Sequence, residues 1–150
     1  MIDTYDGPLQ QAEPFMSVAL CLEADLDVSR GDAICCIDNQ PEVSRSIEAH
    51  VCWMHERPMV PGGRYLIKHT TRNDDRDPRR VPLTESTSTA SSTTRPPDLK
   101  LDQIGRVSLR TRVPLIWDEY LRNRTTGSFI LIDESTTDTL GAGMILGGLG

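Results

Sequence analysis

Aromatic side chains, lysine and long apolar runs are all scarce in this sequence, and each shortage excludes something. Two Trp, three Tyr and two Phe are spread over 150 residues, so the core must rest on Val, Ile, Leu and Met, a composition that favours strands. Lys68 and Lys100 are the only lysines, and neither follows a glycine as a Walker loop requires, which removes nucleotide binding by that route. No run of 18 apolar residues exists, so no membrane helix is expected. The N-terminus, Met1 to Asp6, lacks the charged and apolar regions of a signal peptide, and the expectation is a cytoplasmic chain with no membrane partner. Helical periodicity is missing as well, the one candidate helix being a short turn at 118–123.

The remaining composition is 37% hydrophobic and 25% charged with 11 Gly and 10 Pro, which excludes collagenous, coiled-coil and wholly disordered chains. Net charge is −6, unevenly distributed: residues 1–56 carry −9, residues 57–112 carry +6 and residues 113–150 carry −3. The basic middle is modest and largely arginine on strand-like sequence, short of what a nucleic-acid footprint needs. Cys21, Cys35, Cys36 and Cys52 sit in apolar stretches without a Cys-x-x-Cys pair, as reduced cysteines do. His50, Cys52 and His55 invite a metal reading but lack a fourth ligand, so no metal site is expected.

Period-two alternation predicts strands at Met16–Glu23 and, after a glycine turn at Gly31, at Ala33–Ile37. A domain boundary is expected between Pro41 and Ser46. Ile47, Ala49, Val51 and Trp53 then share one strand face. Residues 64–72, 128–133 and 139–146 supply further strands. The cleanest alternation sets Val107, Leu109, Thr111 and Val113 against Arg106, Ser108, Arg110 and Arg112, a core face opposite an arginine face. From Asn73 to Lys100 the sequence turns to charge, proline and a Ser/Thr run, too polar to offset its ordering entropy, and a disordered loop is expected there. Many short strands separated by turn signals predict an all-β barrel or sandwich.

No nucleophile-and-base pattern emerges. Gly-x-Ser-x-Gly is absent, and the adjacent carboxylates Asp118-Glu119 and Asp133-Glu134 read as solvated loop charges. Asp138-Thr-Leu-Gly141 matches the GTPase Asp-x-x-Gly only formally, since it has no phosphate loop to serve. No catalytic, cofactor or metal residue is assigned. Trp53, Arg106, Arg110 and Arg112 are the candidate partner surface, with core packing the competing role for Trp53.

Several longer strings carry a resemblance. Ser17-Val-Ala-Leu20, Asp25-Leu-Asp-Val-Ser-Arg-Gly-Asp32, Val51-Cys-Trp-Met54, Pro61-Gly-Gly-Arg-Tyr-Leu-Ile-Lys-His-Thr-Thr-Arg72, Ile104-Gly-Arg-Val-Ser-Leu-Arg-Thr111, Asn123-Arg-Thr-Thr-Gly-Ser-Phe-Ile-Leu-Ile-Asp-Glu134 and Gly141-Ala-Gly-Met-Ile145 occur in this order. Together they resemble the C-terminal part of the large, GTP-binding subunit of bacterial sulfate adenylyltransferase, a translation-factor-type GTPase related to elongation factor Tu. The resemblance implies the last strands of a second β-barrel in residues 1–41 and a third-domain β-barrel in residues 42–150, with the insert at 73–100. It also implies sulfate activation, in which ATP and sulfate give adenosine 5'-phosphosulfate and pyrophosphate, linked to GTP hydrolysis. The implied partners are a small subunit that performs adenylyl transfer and the GTPase domain, where GTP and Mg2+ bind. None of the family's GTP-contacting motifs falls within this sequence.

Two departures from the family pattern stand out. The Ser/Thr-rich stretch replaces strand-like sequence before Ile104, so an open barrel edge is expected. Residues 16–37 would lack barrel neighbours, as in a truncated or frameshifted gene copy. Two other readings stay open: a free-standing barrel using its arginine face for an anionic partner, and a remnant without function.

Overall fold

The computed structural model describes residues 1–29, 31–60, 62–70, 80–85 and 98–148, with only the backbone described for 80–85. Nine strands follow one another: β1 (Ile2–Thr4), β2 (Gly7–Leu9), β3 (Ala19–Leu20), β4 (Glu42–Trp53), β5 (Arg64–Lys68), β6 (Arg80–Glu85), β7 (Ile104–Trp117), β8 (Ser128–Ile132) and β9 (Thr139–Gly148). Among the described residues there is no helix, so none is long and apolar enough to cross a membrane. The chain is all-β.

The last six strands close into a barrel in the order β4-β7-β6-β5-β8-β9, with every pairing antiparallel. Alternation explains its interior. Ile47, Ala49 and Val51 of β4 are fully buried, and Trp53 is 1% exposed. Val107, Leu109 and Leu115 of β7, Phe129 and Leu131 of β8, and Leu140 and Ile145 of β9 meet them inside. Each such side chain removed from water contributes about 1.5–3 kcal/mol, and few aromatics are needed to fill a six-stranded barrel. Gly143 of β9 lies directly beneath the Phe129 ring, where a Cβ would overlap it. The segment after β4 folds over one barrel end: the Trp53 indole donates to the Arg57 carbonyl at 2.8 Å, and Met59 and Leu99 exchange backbone hydrogen bonds.

Closure of the barrel overturns the expected open edge. β6 lies inside the stretch 73–100, where a disordered loop was expected, and it pairs with β7 on one side and β5 on the other. Val81 and Leu83 do alternate with Pro82 and Thr84 there, but the signal is two residues long and flanked by polar sequence. Residues 71–79 and 86–97 of the stretch lie outside the described residues.

Residues 1–41 depart further from expectation. β1, β2 and β3 form a small sheet in the order β2-β1-β3, turned at Gly7 with φ of 114°. Of the strand expected at 16–23 only Ala19–Leu20 pairs, and both residues are exposed. No strand forms at 33–37, where Ile34 and Ile37 face solvent. Apolar alternation makes a strand only when a second sheet face covers it, and none does here. Gly31, with φ of 96°, does make the expected turn. At 118–123 the expected helix is a single hydrogen-bonded turn, Arg122 and Asn123 both donating to the Glu119 carbonyl at 2.9 and 3.0 Å.

Candidate docking surface

The β4–β7 ladder separates the four residues singled out in the sequence. Trp53 packs inside, its ring edge-on to Tyr65 with centroids 5.5 Å apart, and offers nothing to a partner. Arg106 lies on the outer face but is bound to the Glu48 carboxylate, which raises its already high pKa. Arg110 and Arg112 are exposed, and neither makes an ion pair among the described residues.

A bulge adds a residue that sequence reading missed. Ser46 pairs with Arg110 and Ser44 with Leu115, so residues 111–114 of β7 face the single residue Arg45. The bulge is held by local hydrogen bonds. The Thr111 hydroxyl donates to the Val113 carbonyl at 2.6 Å, with the Arg45 carbonyl 3.2 Å away. The Ser44 hydroxyl donates to the Ser46 carbonyl at 2.9 Å and accepts from the Ser46 N–H at 3.0 Å, bracketing Arg45. Arg45 is exposed, as are Arg110 and Arg112 on the facing strand at this bulge. Pro114, a proline inside a strand pattern, was the available clue to the bulge.

Of the four carboxylates read as solvated, Glu119 and Glu134 are exposed, but Asp118 and Asp133 are structural instead. Asp133 is 7% exposed and accepts from the Ser135 hydroxyl at 2.5 Å and from the Ser135 and Thr136 N–H groups at 2.8 and 3.1 Å. These bonds, the Ser135 hydroxyl first, together with the Arg57 guanidinium hold its carboxyl well below the usual carboxylate range. The short polar turn after β8 bends back on Asp133, which is why a residue at a strand end is covered. Asp118 accepts from the Thr126 hydroxyl at 2.7 Å and lies 3.6 Å from Arg122, which also bonds Asn39 of the segment before β4. Buried His69 meets the Thr126 carbonyl at 2.7 Å in the same network. Beside it a cleft of about 550 Å³ is lined by Cys35, Cys36, Asp118 and Arg122.

Nothing described here resembles a reaction centre. His50 is exposed, Cys52 half-buried and His55 accepts from the Arg57 N–H at 3.0 Å. Among the described residues no three His, Cys, Asp or Glu side chains converge on a metal position. The described residues do not fit GTP and Mg2+: with no helix among them, they offer no loop and helix N-terminus to cradle phosphates.

Comparison with known proteins agrees with this architecture. The chain is 45% identical over 154 residues to the bifunctional enzyme CysN/CysC of Mycobacterium tuberculosis, matching 97% of this chain and 24% of that protein. It is 42% identical to sulfate adenylyltransferase subunit 1 of Bacteroides fragilis, over 97% of this chain and 30% of that one. The chain thus spans about a quarter to a third of the length of these relatives. Among solved structures, Sup35 complexed with GMPPNP superposes with a TM-score of 0.71 at 15% identity, covering 99% of this chain and 37% of that one, a likeness of fold. The GTP-eEF1A C-terminal domain-like family model matches residues 46–146, the closed barrel and its connections, and the chain belongs to that family.

Proposed function

We propose that this chain serves as the C-terminal barrel portion of a sulfate adenylyltransferase large subunit, holding the GTPase domain and docking the small adenylyltransferase subunit. The observation that carries this reading is the 45% identity to CysN/CysC across nearly the whole chain. The barrel interior is packed with aliphatic side chains and the rings of Trp53, Tyr65, Trp117 and Phe129, as in a scaffold. GTP and Mg2+ then bind in the GTPase domain, outside this chain, and the setting is the cytoplasm. The chain itself is not the catalyst. Residues 1–41 take the place of the closing strands of the preceding barrel, and residues 42–150 form the third domain.

Mixing the purified chain with the small subunit of the Mycobacterium tuberculosis enzyme and following co-elution by size exclusion tests the docking role. A complex with one copy of each is expected. Separate elution at 100 µM of each protein would count against it.

A further inference from the structure

Arginines among the described residues fall into two groups. Arg57, Arg106 and Arg122 each face a carboxylate, and Arg124 lies over the Tyr120 ring. Arg45, Arg64, Arg110 and Arg112 are exposed and make no ion pair among the described residues. Three of these four lie at the β7 bulge, Arg110 in the pair that begins it and Arg45 and Arg112 within it, while Arg64 stands apart on β5.

We propose that Arg45, Arg110 and Arg112 form the docking site for a carboxylate-bearing surface of the small adenylyltransferase subunit. The site rests on the docking role proposed above. Arg110 and Arg112 stand two residues apart on β7, both exposed, and Arg45 lies across the bulge from them. Here they are held in place, because the Ser44–Ser46 and Thr111–Val113 hydrogen bonds fix the backbone on both sides of the bulge. The planar guanidinium fork of each arginine binds a partner carboxylate bidentately. In a regular ladder Arg45 would pair with Thr111 and share the inward face of Ile47 and Ala49; the bulge breaks that alternation and leaves Arg45 exposed.

A protein surface fits this site better than a nucleic acid. Strong phosphate-backbone binding draws on about 6–10 contacts, whereas this patch offers three arginines, bordered by the Glu48–Arg106 pair on a chain of net charge −6. Three exposed guanidiniums match a small cluster of Asp and Glu side chains.

The test uses the full chain and the purified small subunit, with association followed by surface plasmon resonance at 50 mM and 500 mM salt. The variant Arg45→Glu/Arg110→Glu/Arg112→Glu is expected to bind at least about 30-fold more weakly at low salt, chiefly through slower association. The gap should shrink at high salt. Arg64→Glu, which reverses an isolated exposed arginine, should bind as the parent does. Circular dichroism melting confirms that each variant is folded. Should the triple glutamate variant fail to fold, Arg45→Gln/Arg110→Gln/Arg112→Gln replaces it, with a loss of at least about 10-fold expected. A folded triple variant that binds as tightly as the parent overturns the surface while leaving the docking role intact. A parent chain that does not bind overturns both.

Discussion

Trp53, a candidate partner residue, and Asp133, read as a solvated loop charge, are both made structural by their surroundings. Truncating a buried tryptophan costs about 3–5 kcal/mol, a large share of the roughly 5–15 kcal/mol that holds a native domain together. Trp53→Ala should therefore lower the urea midpoint sharply or abolish folding, and a variant melting within a few degrees of the parent would contradict its place in the core. For Asp133 the folded pKa is lowered, so its contribution is present in full above the unfolded value near 4 and is lost as pH falls toward the folded value. Asp133→Asn should thus be less stable than the parent at pH 7, with the gap narrowing between pH 4 and pH 2. Urea titrations at pH 7 and pH 2.5 read this directly, and an unchanging gap would refute it. The burial of Trp53 was legible from alternation alone. That of Asp133 was not, because the turn enclosing it is built from Ser135 and Thr136, residues whose composition signals only a loop.

At the scale of elements, β4, β5, β7, β8 and β9 were all legible in the sequence, with alternation clearest in β4 and β7. β6 escaped notice because Val81 and Leu83 give only two, and its place in the barrel is set by the neighbours on either side. The opposite error occurred at 16–23, where clean alternation produced only the two-residue β3 because no second sheet covers it. Arg45 was hidden for a related reason: a bulge breaks the period on which facing residues are inferred. Packing between β8 and β9 yields a prediction of its own. A Cβ at Gly143 would stand 2.1 Å from Phe129 Cζ, so Gly143→Ala should cost about 1–3 kcal/mol through overpacking. Phe129→Leu in the same chain should recover part of that loss, giving a double-mutant coupling above about 0.5 kcal/mol. Additive costs in chemical denaturation would show that the two residues do not press on one another.

Over the whole molecule, an unevenly charged chain closes its last six strands into a barrel. Large apolar side chains remain exposed across residues 1–37, among them Phe15, Leu26, Ile34 and Ile37. Calorimetric titration of GTP with Mg2+ into the isolated chain should give no micromolar binding, and a measured affinity in that range would place a nucleotide site where the described residues do not fit one. The most direct test of the scaffold role is a chimera in which residues 1–148 replace the matching region of Bacteroides fragilis sulfate adenylyltransferase subunit 1. Assayed with its small subunit, the chimera should form adenosine 5'-phosphosulfate within about tenfold of the parent rate. A chimera that folds and hydrolyses GTP but forms no adenosine 5'-phosphosulfate would contradict the account.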